Sequence, residues 1–450
     1  MSTPMIIPKK VASPALNQKA FPFTQADIPG NSIHPANGNF ILQQRLESWE
    51  TFQNLPMPKT SDEAWRRTDL RALKLNSLEL KPRFNDHFNP PQILLNPLMG
   101  KKQTNQIVLI PGISTHHNVD QSLSETGVIF TDLKSAAAEH AQFLSQSFGQ
   151  IVKPDDGKFA ALASAMAEDG IVVYVPRGVH LKEPLHSVIW SPGKNLARFT
   201  HLIIWLEDDA ELTFVHELSS PNQTNSQSFH AGNVEIYIGE ASHLTFVEIQ
   251  SLGNDVWNFT HERAQVNRNG RIDWIVGAMG SQLTKDFSDI DLIGQGAAVK
   301  MSGFYFPNKN QHLDFDTQQN HLAPYTTSDL LFKGALKDQS RSVWQGMIYV
   351  APNAQKTDGY QANRNLLLSR KARADSIPGL EILANDVRCS HGATVGSLNQ
   401  EEIFYLLSRG ITYPDAERLL VEGFFEPLME RIPYEEIRRR FRSIISRKIR

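Results

Sequence analysis

The sequence has very little cysteine: one residue, Cys389, in 450. That excludes an intrachain disulfide and the disulfide-stapled scaffolds of secreted proteins. It also excludes CxxC redox chemistry and a four-cysteine cluster held by this chain alone. Charge of one sign is scarce too: 45 Lys and Arg against 48 Asp and Glu leave a net −3, so the chain as a whole has no polyanion-binding signature and no nucleic-acid partner is expected. No apolar run approaches the ~18 residues of a membrane helix, so no membrane partner is expected either. The N-terminus has no signal-peptide core. Its first acidic residue is only Asp27, which leaves an organellar stroma open, but the reading favours the cytoplasm. There is no P-loop, no HExxH and no GxSxG, and so no signature of nucleotide hydrolysis, zinc proteolysis or a nucleophile elbow.

What is present falls into four stretches. Residues 1–36 hold six prolines and no periodic pattern, which predicts an extended, flexible arm. Residues 37–168 read as helical. Phe40, Ile41, Arg45, Leu46, Trp49 and Phe52 are helically spaced up to Pro56 and Pro58, Thr60 or Ser61 can cap a further helix with Glu63 in its first turn, and helical patterns follow near Leu133–Ser147 and Lys158–Ala167. From Asp169 to about 395 the texture is period two, in short β-rich runs separated by Gly, Asn, Asp and Ser. Residues 396–450 return to helix. Asn399 to Glu402 forms a capping pattern, Gly410 a stop, and further helices begin near Pro414 and Tyr434, the former bent or ended by Pro427.

The β region carries a weak repeat. Leu212-Thr213-Phe214-Val215 recurs as Leu244-Thr245-Phe246-Val247, then as Arg271-Ile272-Asp273-Trp274 and Ala298-Val299-Lys300-Met301, each after a small-residue turn. Strand-plus-turn units about 30 residues apart suggest stacked rungs, because one rung cannot bury its apolar face alone. Leu212, Phe214, Leu244, Phe246, Ile272 and Trp274 are then interior. A β-sandwich also alternates and stays open as the other architecture.

Chemistry-bearing residues are few. His216-Glu217 and His261-Glu262 are neighbours whose side chains point to opposite faces of a strand, so neither pair converges on an ion, and both read as surface or rung-edge residues. In Arg388-Cys389-Ser390-His391-Gly392, an extended backbone puts Cys389 and His391 on one face. Thiolate and imidazole suit iron or zinc, and a second chain would have to complete the site. On spacing alone the pair reads rather as a small buried hydrophobe beside a hydrogen-bonded turn histidine, since most lone Cys and His residues are not ligands. The last helix is basic: Arg438, Arg439, Arg440, Arg442, Arg447, Lys448 and Arg450 lie within thirteen residues. Taken alone, it suits an acidic partner or a solvated face.

The stretches Leu380 to Gly396 and Phe404 to Ile411, with weaker support from Asp358 to Leu368, Asp169 to Gly178 and Trp65 to Leu70, resemble the SufB/SufD family of iron–sulfur cluster assembly proteins. The resemblance runs from about residue 36. It implies a right-handed parallel β-helix flanked by N- and C-terminal helical regions, and a scaffold subunit rather than an enzyme. It implies SufB as partner in a heterodimer, the ATPase SufC docked through residues 396–450, and no cofactor held stably by the isolated chain, only transient iron or an Fe–S cluster shared with SufB. His391 is thereby implied at the cluster-assembly site on the SufB interface, with Cys389 beside it in a less defined role. Phe404, Tyr405, Arg409, Leu419, Leu420 and Phe424 fall in the implied SufC-docking region. The lone cysteine is similar to the SufD side of the family, since SufB members are richer in cysteine here.

Two rival functions remain at this level. A β-helical polysaccharide-active enzyme would use clustered carboxylates such as Asp286, Asp289 and Asp291. A homodimeric SufB-like scaffold would hold a cluster by pairing two copies of this chain.

Overall fold

The structure, a computed structural model, describes residues 21–30, 40–81, 89–98 and 105–449. The expected arm lies partly outside these residues, but its segment 21–30 is not free. Phe23 and Ile28 are buried, and the Phe21 ring packs edge-on against Phe52 and Phe229. Aromatic burial outweighs the extended habit of the prolines there.

Sixteen successive strands, from Asp169–Val175 to Arg388–Ser397, alternate between two sheets and pair in parallel with the strand two places on. Two strands per turn make a parallel β-solenoid. The repeats seen in the sequence are its stacked rungs: Leu212 registers with Leu244, Leu244 with Ile272 and Ile272 with Val299, while Phe214, Phe246, Trp274 and Met301 form the adjacent row. All six residues expected inside are at most 1% exposed. The Phe214 and Phe246 rings stack at 5.8 Å. Non-glycine residues with positive φ, among them Asp209, Ala241, Asn269 and Asp338, mark the recurring turns.

The first turn is closed by antiparallel strands, Ile129–Asp132 on one sheet and the hairpin Gln106–Ile110 with Ser114–Asn118 on the other. The outer faces of the sheets are covered as well. Helices Phe40–Asn54 and Lys158–Met166 pack with Trp65 over Phe199, Phe229, Trp257 and Phe259. Helices Tyr413–Met429 and Glu435–Ile449 pack Val421, Phe425, Phe441 and Ile445 over Val215, Val247, Ile275 and Phe304. The predicted helix after Thr60 is only a 3-10 turn, Glu63–Trp65, because Trp65 is drawn down onto Phe159 and Phe259.

Two sequence readings need correction. The His–acid neighbours do split across their strands, but none is on the surface: His216, Glu217, His261 and Glu262 are all 5% exposed or less. The basic helix is not a solvated face throughout. Arg440 donates to Glu217, which also accepts from His186 Nε2 at 2.7 Å, and Lys448 donates to Gln311 Oε1 at 3.0 Å and to the Phe306 carbonyl.

Candidate functional site

The far end of the solenoid is built differently from the near one. Strands Arg373–Ile382 and Arg388–Ser397 are the last in their sheets, each paired on one side only among the described residues. Solenoids ordinarily end in a polar cap. Here the chain leaves at Ser397 into helix Gln400–Ser408, whose Ile403 packs with Leu398 and Ala416 along the side of the solenoid. Positions that a further rung would bury therefore face out: Leu380 at 37%, Ile382 at 39% and Val395 at 46% exposed.

His391 and Cys389 lie on this last strand. Side chains of register partners in parallel strands project the same way. The partner of His391 is Gln361 and that of Cys389 is Gly359. Gln361 is fully buried and reaches across the interior to the carbonyls of Gly346 and Gly379, on strands of the opposite sheet. His391 and Cys389 thus sit over the interior of the solenoid at its open mouth. His391 is exposed and Cys389 half-buried, so the geometry brings together the two residues singled out from sequence.

Local packing differentiates the two. Cys389 packs beside Ile348, Val350, Ala354 and Ala384, and a Cβ on Gly359 would come within 3.3 Å of its sulfur. Burial pushes its thiol up from the usual range, against a hydrogen bond from the Gly359 backbone. The thiol therefore stays protonated near neutral pH and must lose its proton to ligate a metal. A Cβ on Gly392 would meet only Ala362 Cβ and Tyr360 Oη, each at 3.9 Å, so the backbone there is open to close approach. Arg388 beside the pair is held by Asp358. Among the described residues no three His, Cys, Asp or Glu side chains converge to hold a metal. Cys389 and His391 make at most half of a site.

Of the other expected site residues, Phe404, Tyr405, Arg409 and Leu419 are exposed on the terminal helices. Phe404 is 73% and Tyr405 57% exposed, with the Arg409 guanidinium 5.3 Å from the Tyr405 ring, and Leu419 is 42% exposed. Leu420 and Phe424 are only partly exposed. Leu420 joins the cluster of Leu398 and Ile403, and Phe424 packs on Phe425 with Lys333 Nζ 4.9 Å above its ring.

The sequence reading missed an internal acidic cluster, Glu248, Glu262 and Asp286, all 8% exposed or less. The signal was available: Leu244 and Phe246 point inward, so period two puts Glu248 inward as well. Asp286 is thus inside the solenoid, while Asp289 pairs with Arg263 at 2.6 Å and Asp291 accepts from Asn320 at 2.7 Å on the outer face. The three aspartates do not line one groove, and the polysaccharide reading loses its site.

Residues 189–424 match the family model described as SUF system FeS cluster assembly, SufBD core domain, and residues 29–186 match SufBD protein N-terminal region. An iron–sulfur cluster assembly SufBD family protein of Staphylococcus haemolyticus is 29% identical over 410 residues, covering 88% of this chain and 86% of the relative. The iron–sulfur cluster assembly protein SufB of Bacillus subtilis is 28% identical over 418 residues, with the same coverage of each. A SufBD family protein of Staphylococcus aureus is 29% identical over 415 residues, again with 88% and 86% covered.

Proposed function

The chain belongs to the SufBD family of iron–sulfur cluster assembly proteins, and from that premise we propose that it is the SufD-type subunit of a SufB–SufC–SufD scaffold. In this reading the open solenoid end pairs with SufB, the exposed face of the terminal helices receives the ATPase SufC, and the assembly supports iron acquisition and de novo cluster formation. The observation that carries it is His391, exposed beside Cys389 on a last strand that is uncapped and without further converging ligands among the described residues. A neutral imidazole ligates iron without prior deprotonation, whereas the protonated Cys389 thiol does not. His391, exposed where Cys389 is half-buried, is the side chain presented when a partner supplies the rest. The cluster is cargo, assembled against thiolates that this chain, with one cysteine, cannot provide.

The B. subtilis relative bears the name SufB, which favours a second reading in which two copies of this chain face each other and share a cluster. His391→Ala, compared with wild type in a strain lacking the gene, tests the first reading. Cluster formation should be lost while the protein accumulates and still co-purifies with SufB and SufC, and Cys389→Ser should be the milder change. Full rescue by His391→Ala refutes the assignment. Anaerobic reconstitution of the isolated chain that retains stoichiometric iron and sulfide would favour the homodimeric scaffold instead.

A further inference from the structure

Along strand Ala197–Leu206 the side chains alternate between two environments. Phe199 packs into the outer helical layer, while Leu202 and Ile204 face the interior. Period two therefore turns Arg198 inward. It stands at the corner where strands of one sheet end, near Ser191 and Ser220, and strands of the other begin, near Ser228. Arg198 is 6% exposed. A guanidinium is charged at every ordinary pH, and burial lowers this one only to about 10, with Asp169 opposing the shift. The fold thus holds a permanent cation inside.

The groups around it do not neutralise it. Among the described residues Arg198 forms no ion pair, and its Nη1 donates instead to the carbonyls of Leu80 at 2.6 Å and Ala197 at 3.4 Å. Its Nε and Nη2 are buried without a partner. Asp169 acts on it only through space, and Lys134, 3.9 Å from Asp169, acts on that carboxyl more strongly than Arg198 does. The buried Asp255 is engaged by the Ser228 hydroxyl at 3.0 Å and the Gln223 amide at 3.3 Å. His230, the register partner of Arg198, has both ring nitrogens engaged, by Thr200 and Asn258, and burial lowers it to about 4. A charge taken out of water without a counter-charge is the costliest kind of burial.

A small cavity of about 20 Å³ adjoins the guanidinium, lined by Arg198, Ser191, Ser220 and Ser228 among others. One water needs roughly 10–15 Å³, so the space suits a single group somewhat larger than water. Ser191 Oγ is buried without a partner. Ser220 Oγ accepts from the Gly253 amide at 2.8 Å, which leaves its own proton to give. The unspent groups are therefore donors: two guanidinium nitrogens and two hydroxyls. A water there must find acceptors for its own protons, and it brings no charge. A halide accepts from all four donors and supplies the missing negative charge.

We propose that this corner is a binding site for one small monovalent anion, chloride being the common one, held by Arg198, Ser191 and Ser220. The anion completes a joint between the N-terminal region and the solenoid. Arg198 holds the Leu80 carbonyl, and the neighbouring Glu79 exchanges backbone hydrogen bonds with Asn195 and Ala197. An anion bound only in the folded state stabilises that joint in proportion to its occupancy. The site needs no partner subunit and stands apart from the proposed function.

Bromide serves as the crystallographic probe. Crystals of the full-length protein grown in sodium bromide should show, at the bromine absorption edge, an anomalous peak between Arg198 and Ser191. In solution, urea titrations in sodium chloride and in sodium gluconate at matched ionic strength should show stability rising with chloride alone, since gluconate is too large for the cavity. Above the dissociation constant the folded-to-unfolded ratio should grow about tenfold for each tenfold of chloride. Arg198→Met keeps the aliphatic length, removes the charge and should abolish the chloride response. Ser191→Ala keeps the charge and should weaken chloride binding by about tenfold, the loss of one hydrogen bond to an ion, which gives a reading if Arg198→Met misfolds. Water alone in the cavity of the bromide crystals, equal stabilisation by both salts, or a chloride response unchanged in both variants would each overturn the proposal. A bromide peak without chloride dependence in solution would mean an adventitious ion only and would overturn it as well. None of these measurements involves His391, so their failure leaves the functional assignment standing, and rescue by His391→Ala leaves the anion site standing.

Discussion

His216 and Glu217 are adjacent in the chain and serve opposite sides of one strand. His216 faces the interior, where Ser187 Oγ lies 2.7 Å from its Nδ1, and burial lowers it to about 3. Glu217 faces outward under the terminal helix. Its burial is opposed by hydrogen bonds from His186 and Arg440, which leave it below its usual value. Buried histidines and buried carboxyls act on stability with opposite signs. His216 and His230, lowered to about 3 and about 4 by burial, contribute stability above their unfolded value near 6.5 that is lost as pH falls. Glu248, raised from 4.5 to about 7, contributes stability below pH 4.5 that is lost as pH rises through its folded value. The double variant Glu248→Gln/Glu262→Gln removes only the second effect. Its stability relative to wild type should climb between about pH 5 and pH 8, by on the order of 3 kcal/mol for the Glu248 shift alone. Urea midpoints across that range measure it, and a difference that is flat with pH would mean the pair is not protonated in the fold.

At the scale of elements, the terminal helices have two unlike faces. Val421, Phe425 and Leu428 of Tyr413–Met429 are fully buried against the solenoid. The last helix comes so close that a Cβ on Gly277 would be 2.4 Å from the Phe441 ring, so glycine is what lets that ring reach the sheet. Removing residues 399–450 would uncover Val215, Ile249 and Phe304, so truncation would damage the fold as well as any docking. Phe404→Ser/Tyr405→Ser is the cleaner probe. Both side chains are largely exposed, so urea stability should stay within about 0.5 kcal/mol of wild type. If the proposed docking of SufC on this face holds, its binding should fall by more than about tenfold, since exposed aromatics are the usual anchors of an interface. Unchanged binding in titration calorimetry would remove this face from the docking surface.

Among the described residues the solenoid is closed at its first turn, covered by helices on both sheets and open at its last strands. Strand edges unpaired among the described residues, beside exposed Leu380, Ile382, Leu383 and Val395, are a template for pairing with another chain. The isolated protein should therefore self-associate through this end. Leu380→Lys/Val395→Lys should convert a concentration-dependent dimer into a monomer in sedimentation velocity, because two lysines on facing edges repel and cannot be desolvated. A wild-type monomer at all concentrations, or a dimer untouched by the substitutions, would place the interface elsewhere.

The rung repeat was legible in the chain because it is a local property. Period two sets which side chains face inward, and Leu212, Leu244 and Ile272 recur at near-constant spacing, so stacking follows from the need to bury each apolar face. The shared face of Cys389 and His391 was legible for the same reason. The burial of Glu217 and Arg440 was not, since they meet across 223 residues and no local pattern encodes which helix will cover which sheet. The 3-10 turn at Glu63–Trp65 replaced an expected helix because the Trp65 contacts outweigh local helix propensity. Which end of the solenoid would be closed, and so whether His391 would be buried or presented, depended on where the chain turned after Ser397. Local pattern determined the rungs and the facing of their side chains, and only long-range packing decided which of them met solvent.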